Sequence, residues 1–117
     1  MIYFLFYSLF CVYLARNNAE RIEAGKKINH AVNGSIHLSA AFLMLILSGW
    51  EDAISLLLLT RVVFDMSLNS FRELSLDYVS PSPKSFADRV EKAVFKSNGL
   101  LPKIIYLALF LCLQILK

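Results

Sequence analysis

The sequence predicts an all-α membrane bundle of four short transmembrane helices plus one amphipathic surface helix. Three observations predict it. The 117 residues are 57% apolar with a mean hydropathy of +0.58, against about 45–50% apolar for average soluble domains. The apolar residues come in blocks, with most charges between them. The basic residues gather at alternate block ends, as they do around membrane spans. Residues 1–117 are enough for one integral membrane domain.

The first span is expected over residues 2–16. Ile2–Ala15 carries no charge; as a helix it is roughly 21 Å long, short against a hydrocarbon core of about 30 Å. A secretory signal peptide is the rival reading. It fails because no Lys or Arg precedes the apolar run and no small-x-small cleavage site follows it directly. The helix is expected to continue past Arg16 through residues 17–25, so only part of it lies in lipid.

The second span, residues 28–48, is mixed in its first half and apolar in its second, FLMLIL. Gly49-Trp50-Glu51-Asp52 then reads as a tight turn, with Trp50 suited to the membrane interface. So short a connection predicts an antiparallel hairpin. The third span, residues 51–73, has the apolar AISLLLLT as its membrane core. It turns polar along one side through Arg61, Asp65, Asn69 and Arg72.

Residues 76–99 read as a loop carrying a short helix, residues 83–97. Ser82 can cap it with Pro83 at the first position, and Asn98-Gly99 is a natural stop. Phe86, Val90, Ala93 and Val94 recur at helical spacing with Lys84, Arg89, Glu91, Lys92 and Lys96 largely elsewhere. That is an amphipathic helix for the membrane surface or, on the alternative reading, a solvated loop helix. The last span is residues 100–116, where Lys103 can snorkel.

Orientation follows from the basic residues. Arg16, Arg21, Lys26 and Lys27 lie in the first loop. Arg72, Lys84, Arg89, Lys92, Lys96 and Lys103 follow the third span, so ten basic residues share one side and only Lys117 falls opposite. The positive-inside rule puts the ten in the cytoplasm and both termini outside, in a bacterial or phage-encoded inner-membrane protein. The net charge of +3 and pI near 9.0 therefore point to the lipid bilayer as partner, not to nucleic acid.

Two polar faces are candidates for chemistry. On the third helix Arg61, Asp65, Asn69 and Arg72 fall within about 80° of arc. Arg61 and Asp65, four apart, can pair and lower the cost of charge in lipid, about 2.5–3.5 kcal/mol at mid-membrane. The stripe reads either as a structural ion pair or as an intramembrane site for an anionic group. On the second helix His30, Asn33, Gly34, His37, Ala41 and Ser48 make a small, polar face suited to helix packing. Antiparallel pairing would bring His30, Asn33 and His37 beside Arg61–Arg72 as one cytoplasmic-side cluster. A metal site is not expected: the two histidines are seven apart, roughly 10 Å along a helix, and no zincin spacing is present. Cys11 and Cys112 sit inside apolar blocks without ligand spacing, and nothing calls for a cofactor.

The run Arg61-x-x-Phe64-Asp65-x-x-x-Asn69-x-x-Arg72, then Tyr78 and, ten residues on, Asp88, resembles a pattern of small, uncharacterised multi-pass membrane proteins of bacteria and phages. It spans residues 61–88 of the 117. The resemblance implies that the polar stripe and the surface loop belong together, and it brings no activity.

The chain lacks a phosphate-cradling glycine loop and a nucleophile elbow, and its serines have no recognisable base and orienter. It therefore reads as a structural or interaction component, one that oligomerises or binds a partner membrane protein, rather than as an enzyme. One alternative is a holin-like pore former or small ion or proton path. Another is an intramembrane enzyme or lipid-headgroup binder using the His/Arg/Asp cluster, where Arg61 and Arg72 would hold a phosphate.

Overall fold

The computed structural model describes residues 2–76, 78, 86–95 and 99–117. Among them it is all-helical: α1 Ile2–Glu23, α2 His30–Leu47, α3 Trp50–Phe71, α4 Phe86–Phe95 and α5 Leu100–Leu116. Helices α2 and α3 are long and apolar enough to cross a membrane, and α4 with α5 qualifies as one pair bent by 105°. Helix α1 is 22 residues long but ends in the polar RNNAERIE, and α5 has only 17 residues.

The helix ends are set locally. Gly25 leaves α1 at φ +71°. Its N–H bonds Ile22 O at 3.0 Å and the next N–H, of Lys26, bonds Arg21 O at 2.9 Å, which is the Schellman pattern that satisfies the last carbonyls. Asn29 caps α2, its Oδ1 accepting from Val32 N at 3.1 Å. The α2–α3 turn is tighter than the sequence suggests. Only Ser48 and Gly49 lie between the helices, and Trp50, Glu51 and Asp52 already form the first turn of α3. Gly49 sits at φ +112°, ψ 176°, a region open essentially to glycine alone. Glu51 and Asp52 place negative charge at the positive end of the α3 dipole. Helix α3 ends in a second Schellman pattern built on Glu73, at φ +57°, with Glu73 N to Ser70 O 3.1 Å and Leu74 N to Asn69 O 2.8 Å.

Helix α3 is the axis of the molecule, packed against α1, α2 and α5. The side-chain register gives the directions. Tyr3 meets Asp52 and Cys11 meets Thr60, so α1 runs parallel to α3. Gln114 meets Ser55 and Lys103 meets Asp65, so α5 runs antiparallel, as does α2 across its hairpin. The starts of α1 and α3 and the ends of α2 and α5 therefore share one end of the bundle. The core is small and aromatic: Phe4, Leu56 and Phe110, with Tyr3, Tyr7, Ala40, Met44, Leu58 and Leu59 around it. Phe4 and Phe110 meet edge to face at 5.3 Å, a favoured aromatic geometry.

Most large apolar side chains elsewhere point outward, including Phe6, Leu9, Phe42, Leu43, Ile46, Leu111 and Ile115. Of α2 only Ala41 is buried. Cys11 is buried and Cys112 exposed. The expected short amphipathic helix is present as α4. Its proposed Ser82–Pro83 start and Asn98 stop lie outside the described residues.

Candidate functional site

Arg61 lies eleven residues into α3, roughly 17 Å from its start. Its partners are not on its own helix. The guanidinium donates from Nε to Glu91 Oε1 at 2.9 Å, from Nη2 to Glu91 Oε2 at 2.6 Å, and from Nη2 to Asp88 Oδ1. Both carboxylates come from α4, where their three-residue spacing puts them on one side of a helix. The Arg61–Asp65 pair expected from the sequence does not form. Asp65 instead meets Lys103 Nζ of α5 at 2.7 Å, and Lys103 also donates to Gly99 O at 2.8 Å. Other helices supply better geometry than an i,i+4 neighbour: two parallel bonds from a planar fork onto Glu91, and a lysine 94% covered on Asp65. Tyr106 of α5 stands beside Glu91 and completes the layer.

His37 goes elsewhere. Its Nδ1 shares a 2.8 Å hydrogen bond with the Tyr7 hydroxyl of α1, and its ring meets Phe64 edge-on at 5.8 Å. It thus lies on the α1 side of α3, away from α4. Among the described residues neither exposed His30 nor half-exposed Asn33 or Arg72 has a side-chain partner. Asn69 is buried and donates to the carbonyls of Leu76 and Tyr78, at 3.4 and 3.3 Å, holding the chain as it leaves α3. The seven expected residues therefore do not make one cluster. Arg61 and Asp65 face α4 and α5, His37 faces α1, and Asn69 serves the loop. On α2, His37 and Ala41 do pack inward as a seam, whereas a Cβ placed on Gly34 would meet nothing within 4 Å.

The second polar network was not foreseen. Asp52, expected in an exposed turn, is fully covered. Its carboxylate accepts from the Tyr3 hydroxyl at 2.6 Å, from Gln114 Nε2 at 3.1 Å and from Lys117 Nζ at 2.5 Å. Gln114 Nε2 also donates to Ser55 Oγ at 3.0 Å. Hydrogen bonding to Asp52 holds the Lys117 ammonium above its ordinary pKa. One signal was available: Asp52 and Ser55 are three apart on α3, and Gln114 is the one uncharged amide in an otherwise apolar last block.

These networks are closed. Among the described residues Asp52, Arg61, Asp65 and Lys103 each face an opposite charge, and Asp52, Arg61 and Lys103 make further hydrogen bonds, the condition under which buried charge is tolerated. The Ser55 hydroxyl is bound to an amide and the Cys11 thiol to Thr60 at 3.9 Å. Neither stands beside a base, so neither is set up as a nucleophile. Among the described residues no three His, Cys, Asp or Glu side chains group as metal ligands. Among the described residues the one buried side-chain donor without a partner is Asn18 Nδ2 on α1. No protein family, characterised protein or solved structure matches the chain.

Proposed function

We propose that the chain is an integral membrane protein with α1, α2, α3 and α5 as four short spans, and that it acts as a structural or interaction component of a bacterial or phage-encoded inner membrane. The carrying observation is the division of its surface. Charges within the helices close on one another between helices, while the outward faces of α1, α2 and α5 are apolar. A water-soluble domain would expose such large apolar area only at a partner interface.

The levels agree with this reading. The register that sets Tyr3 on Asp52 sets Arg16 beside Asp65, which is also the level of Lys103. Below that level the outward faces of the helices are apolar and the polar groups turn inward. Beyond it come the polar end of α1, the polar start of α2 and the basic residues that the positive-inside rule assigns to the cytoplasm. From its start to that level α3 measures roughly 22 Å, short for a hydrocarbon core. Mismatch of that size favours local thinning or oligomerisation, which suits a protein that works by association. Lipid-headgroup binding by Arg61 loses support because its guanidinium is already committed to Asp88 and Glu91.

A second reading, a proton path, rests on one observation: Tyr3 and Tyr7 occupy consecutive turns of α1, and their hydroxyls bond Asp52 and His37. Induced expression in a bacterium, reading membrane potential, growth and carbonate-resistant membrane association, separates the two. Retention in the membrane with unchanged potential, and cross-linking from Phe42 to a copy or partner, is the expected result. Depolarisation that Tyr7→Phe and His37→Ala abolish would replace the structural reading with the path.

A further inference from the structure

Helix α4 is amphipathic, and its apolar side is unpartnered. Phe86 is 77% exposed, Val90 44% and Val94 65%. At about 100° per residue these three span about 80° of one face, centred roughly 130° away from the direction of Asp88 and Glu91. Those carboxylates are clamped on Arg61, so the clamp fixes how the helix is rotated and turns the apolar stripe outward from the bundle. The axis of α4 makes 105° with α5, so a span on α5 lays α4 nearly in the membrane plane. Its height is fixed too. Arg61 sits one helical turn below Asp65, Lys103 and Arg16, where the lipid-facing surface of the bundle gives way to charge. At the same end the outer face of α5 exposes Leu100, Leu101 and Ile104.

We propose that α4 lies in the membrane interface of the leaflet on the basic side, with Phe86, Val90 and Val94 seated at the headgroup–acyl boundary and Arg61 holding it in that rotation. The occupant of the apolar face is lipid. Charge complementarity supports this choice: at the same end of the bundle Arg16, Arg21, Lys26, Lys27 and Arg72 outnumber Glu20, Glu23 and Glu73, and Arg16 pairs with Glu20, which leaves a net positive end that attracts anionic headgroups. An interfacial helix with one apolar face and charged flanks is the form that binds such a surface. The inference rests on the four-span reading and adds a docked in-plane helix to it.

Site-directed tryptophans in proteoliposomes of phosphatidylcholine and phosphatidylglycerol test it. In a Trp50→Phe background, Phe86→Trp reports α4 and Phe42→Trp reports the middle of α2. Both positions are exposed, so neither change disturbs the core, and Val94→Trp repeats the α4 measurement independently. Bromines placed near the carbonyl end of the acyl chains should quench Phe86→Trp about twofold or more, and bromines near the methyl end should quench it less. Aqueous iodide should quench it weakly. Phe42→Trp should show the opposite depth preference. If Phe42→Trp is quenched by lipid while Phe86→Trp and Val94→Trp answer only to iodide, α4 is in water and the inference falls, with the four spans intact. If the α4 reporters answer to neither, protein covers them, and the inference falls in favour of a second copy or partner. If no reporter answers to brominated lipid, the membrane reading itself fails.

Discussion

Replacing Asp52 tests whether the unforeseen network at the termini holds the bundle together. Three donors converge on this carboxylate, from Tyr3 at 2.6 Å, Gln114 at 3.1 Å and Lys117 at 2.5 Å. A hydrogen bond to a charged acceptor contributes about 1.5–3 kcal/mol net. The Lys117 side chain is 39% exposed and can rehydrate when its partner leaves, so it adds little to the loss. Gln114 keeps Ser55, which limits its loss to the lower end. Asp52→Ala should therefore cost about 3–4 kcal/mol, with most of it from Tyr3 and Gln114. Asp52→Asn retains the shape and one acceptor oxygen and should cost about 1–2 kcal/mol. Unfolding by SDS in mixed micelles, followed by circular dichroism and by the fluorescence of nearby Trp50, gives both values. Double-mutant cycles then apportion them: coupling to Gln114 should exceed coupling to Lys117. An Asp52→Ala protein within about 0.5 kcal/mol of the parent, or the reverse order of couplings, would refute the reasoning.

Arg61→Gln should destabilise by about 1–3 kcal/mol, less than for a fully buried pair because its side chain is 22% exposed. In cycles read by the same titration, coupling to Glu91 should exceed coupling to Asp65, whose partner is Lys103. Gly49→Ala forces a side chain into a glycine-only conformation and should cost about 1–3 kcal/mol. Gly34→Ala, in open space within α2, should stabilise by about 0.5–1 kcal/mol in dilute micelles. Thermal melts of the pair check this, and a loss at Gly34 would reveal another helix packed on it. Glu73→Gly relieves a left-handed residue at φ +57° and should raise stability by about 1 kcal/mol or less, measured as a shift in melting temperature.

What the sequence made legible was the part governed by local pattern. Block spacing anticipated the five helices found among the described residues, and α5 runs over Leu100–Leu116 as its apolar run predicts. The continuation of α1 past Arg16 followed from helix-compatible residues with no breaker before Gly25. The pairing of polar residues was not legible for the same reason. Helical spacing offers Asp65 to Arg61 at i+4, but it does not say which other helices bring carboxylates to the same level. Only the fold brings Asp88 and Glu91 there across 27 and 30 residues of sequence. His37 shows the same limit. Its depth matched Arg61, yet rotation about α2 turns it toward Tyr7. Asp52 was hidden for a different reason: reading Gly49–Asp52 as a turn drew no attention to the helix face it would occupy, whereas a turn confined to Ser48–Gly49 winds it onto the face of α3 that meets α1 and α5.

The resulting arrangement has a physical logic that spacing along single helices would miss. On the proposed membrane reading, an i,i+4 pair within α3 would lower the cost of inserting that helix but would add nothing to its association with others. Splitting the charges does both. Arg61 and Asp65 each keep a charge that is costly when α3 stands alone in lipid, and each is relieved only when α4 or α5 docks. Asp52 does the same at the other end, relieved by Tyr3 of α1 and by Gln114 and Lys117 at the end of α5. Between helices in lipid, apolar burial supplies little drive for association, and packing with interhelical polar bonds must supply it. The central cluster has three buried apolar side chains among the described residues, so on the proposed membrane reading the bundle leans on those bonds for its association. That dependence fits polar residues placed near the start, the middle and the C-terminal half of α3, each with partners on other helices.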